Sequence, residues 1–276
     1  MDVRAILRDR QWLVEAFVVM NYGGLVGDIY LAHSTNRFRV PAEYIPLYFS
    51  MAAAALLAAG LLLRPRAPAI WRYVGYVVGW AGIAVGIAGV VLHLDSRFFY
   101  ERTIRSLTYA APFAAPLAYT GLGLLLLANR MVAPRTREWA QWVLLLALGG
   151  FVGNFVFSLT DHAQNGFFRP VEWVPVVASA LAVGFLLLPF MAKAAGPYLR
   201  LCGAVLAVQA LVGLAGALLH LTADHGNSAG TAFDRIVSGA PPMAPLLFVN
   251  LSILAAIALV AWDDDRASPV APRASR

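Results

Sequence analysis

The chain has 276 residues, 60% of them hydrophobic and only 13% charged, with a formal net charge of +6. A soluble domain averages about 45–50% apolar and about 25% charged residues, and a disordered chain needs low hydrophobicity with high net charge, so both classes are excluded. The single cysteine, Cys202, excludes a disulfide framework and any multi-thiolate metal site.

What remains is an all-α polytopic membrane bundle. A helix needs roughly 20 mainly apolar residues to cross a bilayer. Eight stretches meet that need: 11–32, 43–63, 73–94, 107–128, 139–160, 171–191, 199–221 and 243–262. Their interiors are rich in Leu, Ala, Val and Gly, as spanning helices are. The first stretch is longer than the apolar region of a signal peptide, carries Glu15 and lacks a small-x-small cleavage pattern, so it reads as a retained helix. No other segment is long enough for a soluble domain. Residues 266–276 read as a flexible cytoplasmic tail.

Positive charge sets the orientation. Two thirds of the 21 Lys and Arg fall at the N-terminus, in the 2–3, 4–5 and 6–7 loops, or in the tail. Both termini are therefore expected on the cytoplasmic side of a bacterial-type inner membrane. The 1–2, 3–4, 5–6 and 7–8 loops are expected to face the periplasm. Trp12, Trp71, Trp139, Trp142 and Trp262 lie near the inner interface, as an aromatic belt requires. The arginines are scattered at helix ends with no interleaved aromatics, which argues against nucleic acid as a partner. The expected partners are the lipid bilayer and other membrane subunits or a second copy of the chain.

An internal duplication is legible. His33, Asn36, Phe38, Pro41, Glu43 and Pro46 recur without a gap as His162, Asn165, Phe167, Pro170, Glu172 and Pro175, 129 residues later. Gly86, Gly89 and His93 recur as Gly213, Gly216 and His220, 127 residues later. The expected organisation is one four-helix unit at 1–130 and a second at 131–265, related by a pseudo-twofold axis along the membrane normal. Glycines 23, 24, 27, 82, 86, 89, 149, 150, 153, 213 and 216 are expected to let the odd helices approach closely and form a crowded centre.

All five histidines, His33, His93, His162, His220 and His225, stand at the outer ends of odd helices. Asp28, Asp95, Asp161 and Asp224 lie close by in the chain, and Glu43, Glu172, Asn36 and Asn165 belong to the repeated loops. Neutral imidazole ligates Zn, Cu and haem iron, and a carboxylate often orients the ring. Pseudo-symmetry predicts that the two copies face each other and pool their imidazoles in one outer pocket, holding copper or iron, the latter as haem. The competing reading is structural. A histidine at a helix C-terminus satisfies loose carbonyls, Pro41 and Pro170 open helices, and Asn36 and Asn165 suit left-handed turns.

Asp28 lies inside the first span, where a carboxylate is costly and by default functional; Asn154 is read as its counterpart in the second unit. Glu15 is expected to snorkel or pair near the inner interface, and Asn250 to join helices by a hydrogen bond. No Walker loop, dinucleotide fingerprint, His-Glu-x-x-His or nucleophile elbow occurs. The function expected first is metal or haem binding at the outer face, for redox chemistry or metal handling. Two others compete: a small-solute or ion transporter using Asp28, and a structural subunit of a larger membrane complex. Whether the chain is an enzyme is left open.

Overall fold

Side-chain caps and prolines set the helix boundaries. The Asp9 carboxylate accepts from the Trp12 backbone N–H and starts α1 (Arg10–Ser34); Thr136 does the same for Trp139 at the start of α7 (Arg137–Gln164). Proline at the first helical position opens α3 (Pro68–Asp95). The remaining helices are α2 (Tyr44–Leu63), α4 (Phe98–Glu101), α5 (Ile104–Thr108), α6 (Leu117–Met131), α8 (Trp173–Met191), α9 (Gly196–Gly226), α10 (Ala232–Ser238) and α11 (Leu246–Ala267). This computed structural model describes residues 9–63, 66–192, 194, 196–226 and 230–267. Among the described residues there is no strand. Residues 268–276, most of the expected tail, lie outside them.

Five helical segments are long and apolar enough to cross a bilayer: Pro41–Leu63, Pro68–Asp95, Arg137–Gln164, Pro170–Met191 and Gly196–Ala223. Three stretches expected to span fall short of that standard. α1 carries Arg10, Glu15 and Asp28, α6 has only 15 residues, and the apolar part of α11 is Leu246–Trp262. The outside of the assembly is apolar: Leu62, Trp80, Ile87 and Val260 are all exposed. A surface of that kind calls for hydrocarbon rather than water around it.

The helices pack as two squares side by side. In one, α1 packs on α2, α2 on α3, α3 on α6, and α6 back on α1. In the other, α7 packs on α8, α8 on α9, α9 on α11, and α11 back on α7. So α1 stands diagonal to α3, and α7 to α9. The squares meet where α6 packs on α7 and where α1 approaches α11. At the second contact Asn21 and Asn250 exchange side-chain hydrogen bonds, which is the role expected of Asn250.

The glycine expectation needs correction. A Cβ added at Gly23, Gly24, Gly27, Gly149 or Gly153 meets nothing within 4 Å. The close glycines lie on seams within each square. A Cβ at Gly86 or Gly89 of α3 would strike Thr120 or Pro116, and one at Gly213 or Gly216 of α9 would strike Pro245. A Cβ at Gly82 would meet the Tyr22 hydroxyl of α1 and the Tyr119 carbonyl of α6, and one at Gly150 of α7 would strike Leu251 of α11. The tight approaches are thus mainly α3 to α6, α9 to α11 and α7 to α11, and Gly82 alone of the eleven meets another odd-numbered span.

At the end opposite the histidines, Glu15 Oε1 accepts from Arg130 Nη2 at 2.6 Å, with both side chains buried. Gln11 and Asn129 bond each other's backbone carbonyls, and Trp139 Nε1 donates to Asn129 Oδ1. This network ties α1, α6 and α7 together and resolves the Glu15 expectation as pairing.

The two expected loop repeats fold alike. Phe38 and Phe167 donate their backbone N–H to His33 and His162. They have φ of 51° and 52°, and stack on Tyr44 and Trp173. The left-handed residues are Arg37–Phe38 and Gly166–Phe167, not Asn36 or Asn165 as expected. Asn36 works beside the turn: its Oδ1 accepts from Phe38 N and its Nδ2 donates to Glu43. Arg37 is exposed with φ 61°, where the other loop uses Gly166. A non-glycine residue there costs about 1–2 kcal/mol. We therefore expect Arg37→Gly to stabilise the protein by about 0.5–1 kcal/mol, the glycine's larger unfolded-state entropy offsetting part of the gain, as read from thermal unfolding in detergent. A loss of stability would mean that the arginine side chain holds the loop.

Candidate functional site

The histidine end of each square is built from a diagonal pair of helices. His33 ends α1 and His93 ends α3; their ring centroids are 6.3 Å apart with planes at 72°. His93 Nδ1 lies 2.9 Å from the carbonyl of Pro112, in the turn that leads into α6. A carbonyl only accepts, so this nitrogen carries the proton and a neutral ring leaves Nε2 with its lone pair. His33 Nδ1 faces Glu43 Oε1 at 3.9 Å. Glu43 Oε2 is buried without a partner.

The second square repeats the device. His220, near the end of α9, sets Nδ1 2.9 Å from the carbonyl of Pro241, ahead of α11. His162 ends α7 over Phe167, and Glu172 Oε2 is again buried without a partner. His162 and His220 line one cavity of about 330 Å³, and Asp161 is within electrostatic reach of both.

The pairing differs from the expected one. Symmetry suggested that the two copies would pool their imidazoles in one shared pocket, with His93 and His220, and His33 and His162, at equivalent points about the axis. Instead each square closes on its own pair, because α3 packs on α2 and α6 while α9 packs on α8 and α11. Among the described residues no three His, Cys, Asp or Glu side chains converge to hold a metal ion. His225 and Asp95 are exposed. The Asp224 side chain lies outside the described residues. Asn36 and Asn165 are exposed at their turns. Asp28 is half-buried in α1, within electrostatic reach of Tyr119. The gapless spacing of 129 makes Phe157, not Asn154, its counterpart.

Below the histidines the squares differ. In the first, Tyr22, Phe49 and Tyr119 fill the interior with ring centroids 5.6–6.1 Å apart, and Tyr119 is fixed by Ser50 and the Pro46 carbonyl. At the same spacing of 129 the second square has Phe151, Ala178 and Phe248. Of these, Phe248 lines the cavity of the second square. Sequence reasoning missed three things: this cavity, its lining by Ser158, and the two proline carbonyls. Asn154, Ser158 and Asp161 at helical spacing within an apolar span were the available signal.

The two sites are neighbours. Gln164 donates to the Thr108 carbonyl, and a small crevice is lined by Pro112 on one side and by Phe157 and Asp161 on the other. Comparison with known protein families, characterised proteins and solved structures gives no match.

Proposed function

We propose that this chain is an integral membrane haem protein with a redox role. We further propose that it is two tandem four-helix units, with the histidine end facing away from the cytoplasm. The carrying observation is the His33–His93 pair: two imidazoles 6.3 Å apart on diagonal helices, the deeper one held through Nδ1 by a backbone carbonyl. Two imidazoles this close, one from each of two diagonal helices, would both be able to hold one haem iron. A ring nitrogen committed to a carbonyl or carboxylate is the usual support of a ligating imidazole. Bundle cores build cofactor sites from facing helices in this manner.

Haem is favoured over a bare ion by the donor count. Zinc and copper sites draw three or four ligands from the protein, and the described residues offer pairs. Haem brings four nitrogens of its own and needs only one or two axial ligands. When bound it supplies one-electron chemistry. The chain's own part is to fix both rings and to keep Nε2 deprotonated. The like folding of the loops at Phe38 and Phe167 and the matched bonds to Pro112 and Pro241 support the duplication. The positive charges away from the histidine end support the orientation. No observation favours transport through Asp28 or a purely structural role.

The test is an optical spectrum of the full chain in detergent after titration with haemin. A low-spin spectrum at one haem per chain is expected for the wild type, and its loss in both His33→Ala and His93→Ala. An unchanged spectrum in those two variants would end the assignment to this pair.

A further inference from the structure

The geometry points to a second site, a cleft in the α7–α8–α9–α11 square that takes the head group of a lipid-borne quinone. The inference depends on the chain lying in a bilayer but not on haem.

The cleft opens sideways. Its rim residues Val174, Val208 and Leu211 are respectively 46%, 54% and 66% exposed on the lipid-facing surface of α8 and α9. A ligand entering there comes from the membrane rather than from water. The walls are mostly apolar, and apart from Ser158 the polar side chains gather in two places. One is the mouth, with Asp161, His162 and His220. The other is the floor, where Asn154 is 5% exposed and its Nδ2 has no hydrogen-bond partner. A buried donor left unsatisfied costs about 1–3 kcal/mol, and the Asn154 side chain lines a cavity roomy enough to hold an acceptor. Ser158 lies between, one turn above Asn154 on the same face of α7.

This polar edge is particular to the second square. At the spacing of 129, the first square has Leu25, Ile29 and Ala32 where the second has Asn154, Ser158 and Asp161. The difference therefore belongs to a ligand of this cleft and not to the scaffold that both squares share.

The required ligand is flat and mostly apolar, with hydrogen-bond acceptors at opposite ends. Asn154 and His162 are eight residues apart on α7, roughly 12 Å at about 1.5 Å per residue. Two hydrogen bonds of about 2.9 Å leave roughly 6 Å between the acceptors. That is close to the width of a six-membered ring with a C=O of about 1.2 Å at each end. A 1,4-quinone meets this specification. Asn154 Nδ2 donates to the inner carbonyl, the His162 imidazole donates to the outer one, and the isoprenoid tail leaves between α8 and α9.

The experiment uses the full chain in phospholipid nanodiscs, titrated with decylubiquinone. Binding is followed by tryptophan quenching, and the quinone carbonyl stretch by infrared difference spectroscopy. The wild type should bind one quinone per chain, with one carbonyl band shifted down by hydrogen bonding. Asn154→Leu should weaken binding roughly tenfold, the worth of one buried hydrogen bond, and abolish that shift. Ala215→Trp, which fills the cleft from α9, should abolish binding. The His33→Ala/His93→Ala double variant should bind quinone normally, whatever it does to haem. Three results would overturn the proposal: no saturable binding by the wild type above lipid partition, wild-type binding by both cleft variants, or loss of haem and not of quinone in Ala215→Trp.

Discussion

Glu15→Leu should destabilise the protein by about 3–5 kcal/mol. The carboxylate lies 2.6 Å from Arg130 Nη2, and the arginine side chain is only 9% exposed. Removing one member of a buried pair leaves the other's charge uncompensated, and that residual charge accounts for most of the loss. Arg130 has little room to move toward water. Its guanidinium lies flat on Gly75 of α3, where an added Cβ would sit 1.8 Å from Nε, and Nε itself is buried without a partner. The double variant Glu15→Leu/Arg130→Met should recover most of the loss, because methionine can follow the same groove without a charge. Both are read from unfolding in mixed detergent–SDS micelles as a double-mutant cycle. A cost below about 1 kcal/mol for Glu15→Leu would mean that the guanidinium snorkels to the interface instead of pairing.

That ion pair shows what could be read before any coordinates. Glu15 could be narrowed to snorkelling or pairing because an acid in an apolar span has few other options, but Arg130 lies 115 residues away and no local pattern names it. The helices themselves were legible because apolar composition and length are local properties, and the caps at Asp9 and Thr136 lie where the apolar runs begin. The recurrence of loop residues such as Phe38 and Phe167 was legible too, although the left-handed turn fell on Arg37 and Gly166 rather than on the asparagines. The pairing of histidines was not. A repeat in the same orientation says that His93 and His220 occupy equivalent places; it does not say whether those places face each other. That is decided by helix order around each square, with α1 diagonal to α3 and α7 to α9. The cavity was hidden for a related reason. Asn154, Ser158 and Asp161 line it from α7, but which helices close around that face is decided by packing and not by local sequence.

Gly86→Val and Gly213→Val should each destabilise by about 1–3 kcal/mol or more and loosen the histidine two turns beyond. A Cβ at Gly86 would lie 2.6 Å from the Thr120 backbone nitrogen and 2.9 Å from the Pro116 carbonyl; one at Gly213 would lie 2.7 Å from the Pro245 carbonyl. These neighbours are backbone, so relief requires one helix to move off the other. The same seam sets the height of α3 against the turn holding Pro112, and of α9 against the turn holding Pro241, the carbonyls that His93 and His220 bond. Widening the seam should therefore disturb His93 in Gly86→Val and His220 in Gly213→Val, each without touching the other pair. Histidine Nδ1–H resonances of the labelled protein in detergent can check this, since a carbonyl-bonded proton is protected from exchange and a freed one is not. Gly24→Ala is the control: its Cβ meets open space, so helix propensity alone should stabilise by about 0.5–1 kcal/mol. Equal effects at Gly24 and Gly86 would show that the glycines are there for helix flexibility, and the positioning of both imidazoles would then have to come from the loops.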